Sequence, residues 1–150
     1  MAMKEFYLED FKPGDTYKTG AVGISEKQIV DFALLYDPQP FHIDAKAAKE
    51  SIYGGLIASG FQTFALGFRA VLDTGMFKAA SMGSPGCDEL RWLKPVRPGD
   101  TLTVAMEVKE VRPSQSKPDR GIMRMAYRYV NQKGEDVLSF TAMHLLKRRP

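Results

Sequence analysis

Apolar and polar positions along this chain follow two different periods. The change falls near Asp88. Ahead of it, "SEKQIVDFALLY" sets Ile29, Phe32, Ala33 and Tyr36 on one face at helical spacing. Ser25, with Gln28 three residues later, forms a capping box that starts this helix. Pro38 drives Asp37 out of the helical region and ends it, leaving Asp37 in a loop. Asp44 is placed to cap a short second helix, "AKAAKES". After the break at "IYGGL", a third helix is expected from about Ala58 to Leu72. Phe61, Phe64, Ala65, Leu66, Phe68, Val71 and Leu72 cover nearly all its sides, a pattern that predicts a helix enclosed by other structure. Gly60 and Gly67 each weaken such a helix by about 1 kcal/mol relative to alanine. Interior glycines at that cost imply close approach of a backbone or a ligand.

Beyond Asp88 the period is 2. Leu102, Val104, Met106 and Val108 share one face of "TLTVAMEV". Met123, Met125, Tyr127 and Tyr129 share a face of the next strand, opposite Arg124 and Arg128. "NQKGED" reads as a hairpin turn around Gly134 and "VLSFTAMHLL" as the returning strand. "KPGDT" and "RPGDT" are two copies of a turn signal, Pro then Gly at the centre of a type II turn, each opening onto a strand. "RPSQSKPDRG" is a polar loop between long strands. The layout is a strand, helices including one wrapped apolar helix, then long antiparallel strands. This predicts an α+β fold, an antiparallel sheet curling around a central helix, in one domain over residues 1–150.

Composition narrows the setting. The 150 residues are 44% hydrophobic and 26% charged, ordinary for a globular chain. A lone cysteine, Cys87, excludes an internal disulfide framework and suits a reducing compartment. "MAMKEFYLED" has acidic residues where a signal peptide carries its apolar stretch, and "GLIASGFQTFALGFRAVL" is weakly hydrophobic for a bilayer span. A cytoplasmic protein without a membrane partner is expected. The net charge of +3 is dispersed, with no basic stripe interleaved with aromatics, which argues against nucleic acid as a partner. It still favours an anionic small molecule.

The connector "YDPQPFHID" holds the candidate chemistry. Asp37 and His42 stand five residues apart in a loop stiffened by Pro38 and Pro40, and the chain has only two histidines. A carboxylate and an imidazole are the common groups for moving protons near neutral pH. From spacing alone, a hydrogen-bonded structural element is the slightly favoured reading. The other histidine, His144, shares a strand face with Leu138, Phe140, Ala142 and Leu146 and reads as a satisfied core residue. Cys87 reads as a small residue at the start of a strand, and Trp92 as core or interface packing. Arg91, Lys94 and Arg97 are either solvated strand ends or contacts for phosphates. Two histidines and one cysteine make a poor metal-ligand set, so no metal is expected.

"YDPQPFHID", "YGGLIASGF" and "LRWLKPVRPGDTLTV", in that order, resemble the MaoC-like dehydratase family, which includes (R)-specific enoyl-CoA hydratases. The resemblance runs from about Phe11 to Arg148, with Gln39 standing where such hydratases commonly carry asparagine. It implies a hot-dog fold, a curved antiparallel sheet wrapped around a long central helix, in a homodimer with the site between subunits. It also implies Asp37 and His42 as the catalytic pair, and Gly60 as the substrate-binding position; Ser59 beside it reads either as a second ligand contact or as a small residue that allows tight packing. The implied reaction adds water to a trans-2-enoyl thioester or dehydrates the (R)-3-hydroxyacyl thioester. Coenzyme A or an acyl carrier protein enters only as part of the substrate, with no resident cofactor. Two other readings stay open: a hot-dog acyl-CoA thioesterase, in which His42 is dispensable, and a non-catalytic acyl-thioester-binding subunit.

Overall fold

The computed structural model describes residues 4–150. Leu8–Asp10 form a single 3-10 turn. Two short strands follow, β1 (Thr16–Lys18) and β2 (Val22–Gly23), where the sequence suggested one. Helices α1 (Glu26–Tyr36), α2 (Pro40–Ile43), α3 (Ala45–Glu50) and α4 (Gly60–Asp73) come next. The chain ends in β3 (Gly86–Trp92), β4 (Thr101–Pro113), β5 (Arg120–Asn131) and β6 (Asp136–Lys147). The local signals act as their chemistry requires. Ser25 and Gln28 cap α1 reciprocally, and Asp44 accepts from the Lys46 and Ala47 amides at the start of α3. Gly14 and Gly99 take φ of 92° and 87°, and the Asp15 and Asp100 N–H groups close their turns onto the Lys12 and Arg97 carbonyls at 3.0 Å.

All strands pair antiparallel in the order β1-β4-β5-β6-β3, with β2 also on β4. Alternation puts Val104, Met106, Met125, Tyr127, Phe140 and Leu146 on one buried face. Against that face lies α4, through Thr63, Gly67, Ala70 and Val71. Phe64 stacks on Phe140 at 4.8 Å, and the Tyr129 hydroxyl donates to the Phe64 carbonyl at 2.9 Å. Gly67 is obligatory here, because a Cβ would lie 2.2 Å from the Tyr129 ring. The close approach at Gly67 is therefore made by a side chain, neither a backbone nor a ligand.

Three further expectations are corrected. Helix α4 begins at Gly60, two residues later than expected: Ala58 lies outside it and gives its N–H to the Val96 carbonyl at 2.8 Å. Nor is α4 enclosed on all sides in the single chain: Phe61 and Leu72 are 66% and 47% exposed. Tyr36, at 72% exposure, lies off the buried face of α1, which is carried by Ile29 and Ala33.

His144 is a satisfied core residue. It is 5% exposed, stacks on Phe77 at 4.6 Å, and has its Nε2 hydrogen-bonded with the Tyr127 hydroxyl at 2.6 Å. Burial pushes its pKa down from 6.5 to about 4. An unfolded chain gains this proton near 6.5 and the folded chain only near 4, so stability is full above that window and falls as pH drops through it. In denaturant titrations at pH 7 and pH 4, His144→Phe should lose less stability than wild type, by up to about 3 kcal/mol; an equal loss contradicts this. Gly67→Ala should destabilise the fold by about 1–3 kcal/mol despite alanine's better helix propensity, through overpacking against Tyr129. A neutral or stabilising result would contradict the packing.

Candidate active site

The end of α1 builds the site. Asp37 leaves the helix at φ −154°, ψ 63°, its N–H still bonded to the Ala33 carbonyl at 2.8 Å. The Gln39 N–H turns back to the Asp37 carbonyl at 2.7 Å, and Pro40 starts α2 at a position where its missing N–H costs nothing. The Gln39 carbonyl then receives the His42 N–H at 2.9 Å. His42 is thus in a one-turn helix and 4% exposed, not in an open loop as the sequence suggested. The correction has a simple cause: two prolines in a short segment fix φ values that suit a helical turn as well as an extended loop.

The His42 ring is held from two sides. Its Nδ1 lies 2.7 Å from the Ile57 carbonyl, and its Nε2 lies 3.2 Å from Asp37 Oδ2. A carbonyl can only accept, so Nδ1 carries a proton and Nε2 is the nitrogen turned toward Asp37. The Phe41 ring packs edge-on against the imidazole at 4.6 Å. Burial alone would raise the Asp37 pKa, but the hydrogen bond from Gln39, the Ser59 hydroxyl and the facing His42 outweigh it and hold the carboxyl below its ordinary range. Asp37 and His42 side chains are 15% and 5% exposed. They form a partly enclosed acid–base pair.

Both residues line a cavity of about 570 Å³ together with Gly60, Thr63, Tyr53 and Trp92. Gly60 is the first residue of α4, and among the described residues its N–H has no assigned hydrogen-bond acceptor. A free amide at the N-terminus of a helix of 14 residues is a donor reinforced by the helix dipole. The closeness at Gly60 comes from Trp92, whose indole N–H donates to the Gly60 carbonyl at 2.8 Å. A Cβ on Gly60 would fall 2.5 Å from that nitrogen. Trp92, 47% exposed, is a wall of this cavity and not a core residue.

Ser59, expected at the ligand, is fully buried, does not line the cavity, and sits behind the Asp37 carboxylate. Its Oγ has no hydrogen bond of normal geometry. Lys94 lines the cavity and pairs with Glu135, whereas Arg97 donates to the Tyr53 carbonyl at 2.6 Å. Arg91 donates to the carbonyl of its neighbour Leu90. Cys87 is exposed on the edge strand. Among the described residues no three of His, Cys, Asp or Glu gather as a metal set, and no helix is long and apolar enough to cross a membrane. Sequence reasoning missed Ile57, Gln39 and Trp92 as parts of the site. Gln39 alone had a usable signal, an amide side chain two residues from the carboxylate. Trp92 is the sole tryptophan, so binding of an acyl thioester in this cavity should change its fluorescence. An unchanged emission at saturating decanoyl-CoA would contradict occupancy of the cavity.

Comparison with known proteins agrees with this architecture. The family description "MaoC like domain" matches residues 10–125, well over half of the chain. The uncharacterized protein YdeM of Bacillus subtilis is 30% identical over 141 residues, covering 94% of this chain and 99% of that protein. The crystal structure of a MaoC-like dehydratase from Rhodospirillum rubrum superposes with a TM-score of 0.89 at 38% identity, over 97% of this chain and 99% of that one. An unliganded R-hydratase, PhaJ1 from Pseudomonas aeruginosa, gives 0.77 at 28% identity, over 96% and 87%. The curved six-stranded sheet around α4 is the hot-dog fold. With the family match over most of its length, the chain belongs to the MaoC-like dehydratase family.

Proposed function

We propose that the protein is a hydro-lyase that adds water to a trans-2-enoyl thioester, or removes it from the (R)-3-hydroxyacyl thioester, by acid–base catalysis at Asp37 and His42. The observation that carries this reading is their convergence: a carboxylate and an imidazole 3.2 Å apart share one cavity with the first amide of α4.

In the hydration direction a water held by Asp37 and His42 attacks the β-carbon and loses a proton to the pair. Electron density moves from the double bond to the carbonyl oxygen, where the Gly60 N–H stabilises the enolate-like charge. The proton returns to the α-carbon, so the product is the substrate plus one water. Because Nδ1 is tied to Ile57, any proton that His42 exchanges passes through Nε2. Asp37, held below the usual carboxylate range, stands ionised at neutral pH and can accept a hydrogen bond from the attacking water. The carrier is coenzyme A or an acyl carrier protein.

The same reading makes the working unit a homodimer. In support, α4 exposes Phe61 and Leu72, the adjoining edge strand β3 is largely exposed, and Trp92 and Leu93 at its end are about half exposed. An exposed edge strand beside an apolar stripe is a surface that a second copy can pair with and cover. Light scattering on the purified protein should give twice the 16.8 kDa chain mass or a multiple of that. A monomer at working concentration would contradict the dimer.

Asp37→Asn and His42→Gln should each lower crotonyl-CoA hydration by about 10²–10⁴-fold, the scale of general acid–base groups. Melting curves distinguish catalytic loss from unfolding, which matters for the buried His42. Full hydration by either variant, or release of free thiol as the main reaction, would contradict the proposal.

A further inference from the structure

Gln39 touches both members of the pair. Its Nε2 donates to Asp37 Oδ1 at 2.6 Å, its backbone N–H donates to the Asp37 carbonyl at 2.7 Å, and its carbonyl receives the His42 N–H at 2.9 Å. It is the N-cap of α2, yet its side chain does not cap that helix; the amide is spent on Asp37 instead. The two carboxylate oxygens are thereby given different surroundings. Oδ1 is occupied by a neutral amide donor, and Oδ2 faces His42 Nε2 at 3.2 Å.

We infer that Gln39 is a positioning residue: its side-chain amide clamps Asp37 Oδ1, fixes the carboxylate plane, and leaves Oδ2 as the oxygen that works with His42. This rests on the hydratase reading for its kinetic consequence but not for its geometry. A neutral amide suits the task. It stabilises the ionised carboxylate by hydrogen bonding and, unlike lysine or arginine, adds no charge that would compete with His42 for the carboxylate.

The groups that face Asp37 are few. His42 is the titratable neighbour, from α2, and Ser59 presents a neutral hydroxyl from the residue before α4. Lys94 lines the same cavity from the segment after β3, with its ammonium paired to Glu135. Among these, Gln39 makes the only hydrogen bond to Oδ1 assigned among the described residues. It is also the foremost of the contacts that lower the Asp37 pKa. Removing it should therefore change how the pair titrates, an effect that loss of simple packing would not produce.

The test uses Gln39→Ala, Gln39→Asn and Gln39→Glu in the full chain, with two separate readouts. The first is the ¹³C carboxylate titration of Asp37, assigned by its disappearance in Asp37→Asn. The midpoint should move to higher pH in Gln39→Ala, further in Gln39→Glu because a second carboxylate then adjoins it, and return toward wild type in Gln39→Asn, which keeps an amide donor. The second is the pH profile of enoyl-thioester hydration. In Gln39→Ala the acid limb should move up with the carboxylate and kcat should fall about 10- to 100-fold, the value of one hydrogen bond to a charged group, with KM nearly unchanged. An unmoved Asp37 titration in the folded alanine variant overturns the clamp, and so does a rise in KM alone, which would make Gln39 a substrate contact. If wild type hydrates no enoyl thioester, the hydratase reading fails while the titration still decides the role of Gln39.

Discussion

Two groups from different segments of the chain face the two ring nitrogens of the buried His42. One is the backbone carbonyl of Ile57, in the segment that leads into α4. The other is the carboxylate of Asp37, at the end of α1. An unpaired polar group in such a place costs about 1–3 kcal/mol, so the imidazole acts as a pin between the two segments. Its tautomer follows from the pin. With Nδ1 committed to a carbonyl, the only nitrogen turned toward the carboxylate is Nε2.

The same segment locates the amide. The Ile57 N–H returns to the Phe41 carbonyl at 3.2 Å, and the Ala58 N–H is bonded to Val96 ahead of β4. Gly60 then opens α4, with the Trp92 indole seated where its side chain would be. Within four residues the chain supplies the acceptor that orients the imidazole, an anchor to the connector between β3 and β4, and a helix N-terminus facing the cavity. Farther along, Tyr129 and Phe140 hold α4 against the sheet at Gly67 and Phe64. A site built this way has its donors set by secondary structure, which is the arrangement that electrostatic stabilisation of a developing oxyanion requires.

Local chemistry made much of the fold legible. The Ser25–Gln28 box, the Asp44 cap and the two Pro-Gly turns each act within a few residues, so the local order of residues reveals them. Period-2 alternation revealed the buried faces of β4, β5 and β6, because one side of each is packed on α4 and the other is not. What escaped depends on distant partners. Trp92 meets Gly60 from 32 residues away, and His42 meets Ile57 from 15. The exposed stripe of α4 was read as enclosed because periodicity counts apolar positions without saying which molecule covers them. Asp37 and His42 were identified as a pair from motif and resemblance. Their separation, and the clamp that Gln39 places on one carboxylate oxygen, needed coordinates.

The central claim is that one bound thioester meets the Asp37–His42 pair and the α4 amide together. A crystal structure with a saturated acyl-CoA, which cannot be hydrated, tests it most directly. The account predicts the thioester oxygen within hydrogen-bond distance of the Gly60 N–H, with the β-carbon turned toward Asp37 Oδ2 and His42 Nε2. A thioester bound with its carbonyl away from Gly60, or its β-carbon out of reach of that pair, would contradict it.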